Sequence, residues 1–296
     1  MTAAKMHADE LDIDASLVRH LLERQFPHWA KLPLTKVASA GTDNTLFRLG
    51  EEMVVRLPRI EWAVEPIQRE QEWLPKLASL LPFALPVPIA SGQPDEDYPW
   101  PWSIAPWLEG KHPSLEQVPS TLPTDLAHFV KALQSIDPEG GPPSFRSERL
   151  ETRDERTRKV IDELHGIIDT DAVTEIWERT LELPGWSGSP VWIHSDLAPG
   201  NLLLVENQLS AIIDFSPGLG DPACDLIVAW NLLPKEMRNE YRLALHVDDA
   251  TWLRGRGWAL SIALLQLPYY LHTNPIITAN AKHVISEILE DHHTRE

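Results

Sequence analysis

The feature that most constrains this chain is a pair of short apolar runs with a polar residue at each outer end. The runs are Leu202–Val205 and residues 211–213, and polar residues 206–208 separate them. Two such runs around a polar turn predict a β-hairpin. Asn201 precedes the first run and Asp214 follows the second, so the hairpin would bring these side chains to neighbouring strand ends. The sequence therefore predicts an amide oxygen beside a carboxylate, close enough to share a metal ion.

A third polar residue extends this pattern. Four residues separate Asp196 from Asn201, and His194 lies two positions before Asp196, which is the H-x-D-x-x-x-x-N spacing of a kinase catalytic loop. A lone Asp in a loop usually forms a turn or caps a helix. Here the three residues coincide in a strand–loop–strand context that suits phosphoryl transfer, with one carboxylate for the attacking hydroxyl and two oxygen ligands for Mg²⁺. His194 is expected to hold the loop backbone rather than to act as a base.

A second motif, Gly220-Asp221-Pro222-Ala223-Cys224-Asp225-Leu226, follows within a dozen residues of the hairpin. Together the two motifs make residues 191–233 resemble the aminoglycoside phosphotransferase family, which is similar in fold to the protein kinases. In its loop, Ser195 stands where that family most often has glycine.

The resemblance implies roles for five residues. Asp196 would be the catalytic base, and Asn201 and Asp214 would be the Mg²⁺ ligands. Asp221 and Asp225 match family positions that brace the catalytic loop or face the substrate.

The order of predicted elements fits this resemblance. Strands come first and helices later, which is typical of an α+β fold. We predict a bilobal protein-kinase-like fold, with a small strand-rich N-terminal lobe at 1–106 and a larger, mostly helical C-terminal lobe at 107–296. Beyond about residue 108, only the catalytic hairpin is expected to break the helical pattern. The early elements are a helix at 14–26 capped by Asp14, strands at 34–38, 45–49 and 53–57, and a helix at about 64–80.

The loop between the first two predicted strands is a candidate phosphate-binding segment. Its glycine and small polar residues would let backbone N–H groups approach phosphates. The loop lacks both common glycine-rich phosphate motifs, so a plain hairpin turn is the alternative. The resemblance extends to this loop, and its candidate nucleotide-binding residues are Ser39, Gly41 and Asn44.

Arg56 lies on the third predicted strand, where a protein kinase carries its phosphate-binding lysine. Arginine can also clamp phosphate oxygens, although its fork is bulkier. The R-E-x-x-x-L spacing of the family that this chain resembles implies Glu70 on the next helix as the partner of Arg56, with Glu72 as the alternative. Trp107 and Leu108 lie where the strand-rich part ends, and the resemblance implies that this linker runs along the nucleotide base.

Composition narrows the partners. The chain carries 44 acidic and 26 basic residues, a formal net charge of −18. That balance argues against nucleic acid and against anionic membranes, and it is compatible with a cationic small-molecule substrate. A single cysteine, Cys224, excludes an internal disulfide. We expect a cytoplasmic protein, monomeric or homodimeric, without a signal peptide or a membrane span.

The predicted function is a small-molecule O-phosphotransferase that uses Mg²⁺ and moves the γ-phosphoryl of ATP or GTP to a hydroxyl. Aminoglycoside and macrolide antibiotics are the acceptor classes that the resemblance suggests. A nucleotide-binding pseudokinase and a metabolic small-alcohol or sugar kinase are the alternatives. Acceptor contacts are expected from residues 120–185 and 230–275, with the acids Asp225, Glu236, Glu240, Asp248 and Asp249 as candidates to receive ammonium groups.

Overall fold

The computed structural model describes residues 9–38 and 41–293, and the chain divides into two compact units. The first unit comprises Met1–Gly110 and Ser210–Pro217, and the second comprises Lys111–Leu209 and Gly218–Glu296. The lobes predicted from the sequence are 1–106 and 107–296, so the prediction placed Ser210–Pro217 in the C-terminal lobe. In the structure this segment groups with the N-terminal residues.

A five-stranded antiparallel sheet forms the centre of the first unit. The strand order is β1-β2-β3-β5-β4. Helix α1 begins as predicted, because the Asp14 carboxylate accepts a hydrogen bond of 2.9 Å from the Leu17 backbone N–H. The elements are α1 (Ala15–Gln25), β1 (Leu34–Lys36), β2 (Asn44–Leu49), β3 (Met53–Pro58), α2 (Val64–Leu77), β4 (Ala90–Gly92) and β5 (Trp102–Pro106).

Alternation along β2 explains how this sheet packs. Phe47 and Leu49 are fully buried, while Leu46 and Arg48, which alternate with them, are half-buried. This period of two places apolar side chains on the face that meets α1, where Leu21 and Leu22 are also fully buried. The central strand β3 is flanked by β2 and β5, so Arg56 lies in the middle of the sheet.

The second unit is mostly helical, as predicted. The longest described helix of this unit, α8, has no clear polar face. Most of its residues from Trp258 to Leu267 are buried in the core of the unit. The helices are α3 (Leu122–Gln134), α4 (Asp154–Glu163), α5 (Thr170–Leu181), α6 (Val228–Asn231), α7 (Lys235–Leu245), α8 (Asp249–Tyr270) and α9 (Pro275–His293).

The predicted hairpin is present. Strands β7 (Leu202–Val205) and β8 (Gln208–Ile212) pair as a two-stranded sheet. At the turn, Glu206 has φ +50° and Asn207 has φ +62°, the left-handed pair that a tight two-residue hairpin requires.

One prediction for the C-terminal part was wrong. The hairpin is not its only strand structure, because β6 (Val191–Ile193) pairs antiparallel with β9 (Gly218–Gly220). Three-residue strands separated by more than twenty residues carry too little periodicity to be recognised in a sequence. This pair matters for the site, since β6 leads directly into His194 and β9 leads into Asp221.

No helix in the part of the chain that the structure describes is long and apolar enough to cross a membrane.

Candidate active site

A buried carboxylate holds the predicted catalytic loop. Asp225 is fully buried in a 3₁₀ segment at Pro222–Ile227. Its two oxygens accept hydrogen bonds from the backbone N–H groups of His194 (3.1 Å) and Ser195 (2.6 Å). Burial raises the pKa of Asp225 to about 7, although these two N–H groups and Arg146 oppose the rise. Asp225 therefore holds the loop backbone in place. Because its side chain is fully buried, the expectation that it could receive a substrate ammonium group is wrong.

His194 contributes its ring to the same loop. The ring Nδ1 accepts a hydrogen bond of 3.2 Å from the Asp196 backbone N–H, and the ring packs edge-on against Phe129. His194 is 1% exposed. These contacts support a structural role for His194, since its ring nitrogen is engaged with backbone rather than facing solvent.

Ser195 occupies a backbone conformation that favours glycine. Its φ is +64°, in the left-handed region, and the residue is fully buried. The side chain is accommodated, since the Ser144 hydroxyl donates to Ser195 Oγ at 3.3 Å. The geometry explains why glycine would suit this position, and it gives the serine hydroxyl a hydrogen-bond partner.

This conformation predicts an order of stability for substitutions at Ser195. Ser195→Gly relieves strain but loses the hydroxyl contact and adds flexibility to the unfolded chain, so its free energy of unfolding should stay within about 1 kcal/mol of the original. Ser195→Val should destabilise by about 2 kcal/mol, because a β-branched side chain is disfavoured at positive φ. Urea unfolding of the three proteins measures this. A valine variant as stable as the serine protein would contradict the strain argument.

Asp196 is the partly exposed carboxylate of the loop, and neighbouring donors hold both its oxygens. The Asn201 side-chain amide donates to Asp196 Oδ2 at 3.1 Å and to the Asp196 backbone oxygen at 2.8 Å. The Asp196 side chain is 38% exposed. These bonds use the nitrogen of Asn201, so its amide oxygen, the atom that a metal ion would take, lies outside them.

Arg146 supplies the other contact to Asp196, and no motif in the sequence points to it. Its Nη1 donates to Asp196 Oδ1 at 3.0 Å and also to the Ser195 backbone oxygen. Arg146 lies fifty residues before Asp196, in a proline-rich stretch without a recognisable motif. Only the folded chain brings it to the loop.

The first unit contains a second charged group. Arg56 on β3 forms a two-pronged ion pair with Glu70 on α2, and its Nη2 also donates to Asp214 Oδ1 at 3.3 Å. Glu72, the alternative partner, pairs instead with Lys76 on the helix surface. The three residues thus join a strand, a helix and the segment after β8.

Burial and neighbouring charges shift the pKa values of both partners in this buried pair. Burial would lower the pKa of Arg56, but Glu70 and Asp214 outweigh it and raise the pKa above its ordinary value. Burial also raises the pKa of Glu70 to about 7, against the opposing pull of Arg56, so the pair is ionised above that pH. Asp214 itself is half exposed and has φ +54°.

The other predicted nucleotide-binding residues lie on the same unit. Ser39 falls outside the described residues. Gly41 is exposed, and Asn44 opens β2 with its backbone oxygen accepting a 2.9 Å hydrogen bond from Arg59. Trp107 and Leu108 are both half-buried. The centre of the Trp107 ring lies 4.6 Å from the Arg48 guanidinium.

Asp221 is engaged in structural contacts. It accepts two hydrogen bonds from Arg254, at 2.9 and 3.2 Å, and caps the following 3₁₀ segment through the Ala223 N–H. Next to it, Cys224 is buried, and burial raises the pKa of its thiol well above the ordinary value. Both observations favour a bracing role for this motif.

A pocket of about 480 Å³ lies in the second unit beside Asp221. Three acids line it, and each pairs with an arginine: Asp221 with Arg254, Glu151 with Arg149, and Glu148 with Arg153 and Arg156. A cationic ligand would have to compete with those arginines, so the pocket does not offer a ready site for ammonium groups.

The remaining acids of the predicted acceptor region differ in their surroundings. Asp248 caps α8, and Asp249 pairs with Arg242. Glu236 and Glu240 are exposed on α7. Asp248 and Asp249 are also exposed, but the Thr251 N–H and Arg242 already engage them. Glu236 and Glu240 are therefore the better candidates of that set to meet a substrate.

The donors expected for a metal ion have suitable chemistry. Asn201 has an amide oxygen and Asp214 a half-exposed carboxylate, and Mg²⁺ is bound by few protein oxygens together with water and phosphate. Within residues 9–38 and 41–293, no group of three or more His, Cys, Asp or Glu side chains could hold a metal ion.

Solved structures confirm the predicted protein-kinase-like fold. The chain matches the GDP complex of wild-type aminoglycoside 2'-phosphotransferase-IIIa with a TM-score of 0.76 and 17% identity, over 94% of this chain and 99% of that one. It also matches a macrolide 2'-phosphotransferase of Brachybacterium faecium, with a TM-score of 0.62 and 20% identity, over 93% and 97% of the two chains. The class defined here is therefore a kinase-like phosphotransferase fold.

A further similar structure is the ternary complex of streptomycin, ATP and APH(2")-IIa, with a TM-score of 0.62 and 20% identity over 86% of this chain and 90% of that one. A comparison with curated protein sequences gave no match. Residues 35–258 match the sequence model described as the phosphotransferase enzyme family. Because that match spans well over half of the chain, the protein belongs to this family.

Proposed function

We propose that this protein transfers the γ-phosphoryl group of ATP or GTP to a hydroxyl of a small molecule, in the presence of Mg²⁺. The observation that carries the proposal is the geometry of Asp196, a partly exposed carboxylate whose two oxygens are held by Arg146 and Asn201. A carboxylate fixed in this way is suited to accept or orient the proton of an attacking hydroxyl.

The catalytic loop would do its work mainly by position. Asp225 holds the backbone at His194 and Ser195, so Asp196 is presented from a rigid base. Phosphoryl transfer proceeds through a loose transition state, and most of its catalysis comes from alignment and charge stabilisation.

The charged group of the first unit would serve the nucleotide. Three hydrogen bonds to Glu70 and Asp214 use three of the five N–H donors of Arg56, so further donors remain for phosphate oxygens. In protein kinases the corresponding Lys–Glu pair must be in place for activity. Gly41, Asn44, Trp107 and Leu108 stay proposed contacts of the phosphates and base.

Asn201 and Asp214 are the proposed protein ligands of Mg²⁺. Their oxygen donors fit the hard cation, and Glu70 with Arg56 would hold Asp214 in its working position. Bound Mg²⁺ would neutralise charge on the nucleotide phosphates.

The proposed acceptor is a small molecule with a hydroxyl, and a cationic one fits the charge of the chain best. A net charge of −18 would favour the approach of such a molecule, and Glu236 and Glu240 are exposed to meet it. The similar structures include complexes with kanamycin, gentamicin and streptomycin, which supports an aminoglycoside acceptor as the first class to test. A cytoplasmic location, as monomer or homodimer, stays part of this proposal.

A nucleotide-binding pseudokinase is the less favoured alternative. Two departures from the family pattern would support it: Arg56 stands in place of lysine and Ser195 in place of glycine. Arg56 nevertheless forms the buried ion pair with Glu70, and Ser195 adopts the left-handed conformation that the loop requires. Both residues thus make the contact or adopt the conformation that the site needs, so the active enzyme is the better supported function.

Replacing Asp214 tests the metal part of this proposal. In Asp214→Asn the Mg²⁺ concentration for half-maximal turnover should rise at least about tenfold above that of the unaltered protein, because a neutral amide replaces a charged ligand. The fold should be retained, since the side chain is half exposed and asparagine tolerates a positive φ. Turnover is measured as phosphate transferred from γ-labelled nucleotide over a Mg²⁺ titration.

Asp97→Asn is the matched control, because it makes the same chemical change at an exposed acid of the first unit. Its Mg²⁺ requirement should equal that of the unaltered protein. An Asp214→Asn variant with the same Mg²⁺ dependence as this control would remove Asp214 from the metal site.

A further inference from the structure

Arg146 joins the catalytic loop from a distant part of the second unit. One of its guanidinium nitrogens, Nη1, donates both to the Ser195 backbone oxygen and to Asp196 Oδ1. Its side chain is 13% exposed, against 38% for Asp196. A single side chain thus fixes one backbone atom and one carboxylate atom of consecutive residues.

The segment that carries Arg146 is itself fixed. The Arg146 N–H donates to Ser144 Oγ at 3.2 Å, and the Cys224 thiol donates to the Arg146 backbone oxygen at 3.6 Å. The Ser144 N–H donates to the Leu219 backbone oxygen at 2.9 Å, which ties the segment to β9. The guanidinium also stacks 4.7 Å from the Phe145 ring. The charge therefore reaches Asp196 from a braced position.

The catalytic loop contains no cation of its own, since residues 193–201 include neither lysine nor arginine. Asn201 holds Asp196 Oδ2, which leaves Oδ1 to be held from outside the loop. Without Arg146 the carboxylate would keep one anchor, and rotation about its terminal bond would move both oxygens. An arginine suits the task because its planar donors reach two acceptors in a fixed geometry.

We propose that Arg146 is a positioning residue that orients the Asp196 carboxylate toward the attacking hydroxyl. This inference rests on the proposed phosphotransfer. Arg146 acts on the step in which the hydroxyl oxygen bonds to the γ-phosphorus and the hydroxyl proton passes to Asp196. In the same step the bond from the γ-phosphorus to the β-phosphate oxygen breaks, and the nucleoside diphosphate leaves. Arg146 itself is proposed to contact neither reactant. Its removal should slow that step while nucleotide binding stays unchanged.

The principal variant is Arg146→Met, which keeps the aliphatic part of the side chain and removes the guanidinium donors. The expected result is a kcat lowered about tenfold to a hundredfold, with the KM for nucleotide unchanged within about twofold. Millimolar guanidinium ion should restore part of the lost rate, because it can occupy the vacated space beside Asp196. Arg146→Lys keeps the charge, so its kcat should lie between that of the unaltered protein and that of Arg146→Met.

A double-mutant cycle separates positioning from a general structural role. In an Asp196→Asn background, Arg146→Met should lower the residual rate less than twofold, because the carboxylate it orients is gone. Arg24→Met is the matched control, since Arg24 on α1 pairs with Asp97 at the surface, has the same charge and lies outside the expected acceptor region. That variant should keep full activity.

Two results would overturn the inference while leaving the proposed function standing. One is a wild-type kcat in Arg146→Met. The other is an equal fractional loss from Arg146→Met in the presence and absence of the Asp196 carboxylate, without rescue by guanidinium. If Arg146→Met does not fold, Arg146→Lys carries the same cycle. An unaltered protein that transfers no phosphate would overturn both the inference and the proposed function.

Discussion

Asp196→Asn is expected to lower kcat for phosphoryl transfer by about a thousandfold, within the range of 10² to 10⁴ that a general base contributes. Asparagine has nearly the same shape but cannot accept the proton of the attacking hydroxyl. The change should leave the KM for nucleotide nearly unchanged, because Asp196 is assigned to the acceptor side. Steady-state rates with labelled nucleotide and a saturating acceptor measure both parameters.

The fold of this variant should persist. Arg146 can still donate to a side-chain oxygen at position 196, and Asn201 can still donate to the backbone oxygen there. Asp169→Asn is a suitable control, since Asp169 caps α5 and asparagine caps helices equally well. If Asp196→Asn retained the rate of that control, Asp196 would not be the base.

The second large effect is expected on stability. Asp225→Ala removes the acceptor of two buried N–H groups, those of His194 and Ser195. Each unpaired buried donor costs about 1–3 kcal/mol, so the free energy of unfolding should fall by about 3 kcal/mol. Activity should fall with it, because the loop that presents Asp196 loses its anchor.

Tyr241→Phe provides the comparison for this stability change. The Tyr241 hydroxyl donates to the backbone oxygen of Asp225 at 3.0 Å, so its removal disturbs the same site by a single bond. The expected loss is about 1 kcal/mol. Urea unfolding that showed equal losses in the two variants would mean that the Asp225 carboxylate does not carry the loop.

The pH dependence of stability should report the same carboxyl group. Its pKa is raised from an ordinary 3.8 to about 7 by burial, so the folded protein binds its proton more tightly than the unfolded chain does. The resulting stabilisation is present below pH 3.8 and is lost as pH rises to about 7. In Asp225→Asn the free energy of unfolding should therefore fall less steeply across this window than in the unaltered protein.

Local chemistry made much of the fold predictable. Asp14 caps α1 because its oxygen reaches the Leu17 N–H three positions later. The hairpin of β7 and β8 follows from two apolar runs around a polar turn, and its turn residues adopt the left-handed conformation required. Such features depend on neighbours within a few residues, so a single sequence records them.

The parts that could not be predicted depend on contacts between distant segments. Arg146 reaches Asp196 from fifty positions away, and Arg254 reaches Asp221 from thirty-three positions away. β6 and β9 pair through only three residues each. No periodicity or motif encodes these contacts, because they arise only when packing brings the segments together. The Arg56–Glu70 pair could be proposed only because the resemblance supplied the partner helix.

The most direct test of the central claim is transfer of labelled γ-phosphate from ATP and from GTP to a panel of aminoglycosides, macrolides and small alcohols, with Mg²⁺ and with chelator. We predict that phosphorylated acceptor forms with Mg²⁺ and does not form with chelator. In Asp196→Asn it should form about a thousandfold more slowly. Phosphate transfer that proceeds equally with chelator or in Asp196→Asn, or nucleotide that stays intact with every acceptor, would contradict this claim.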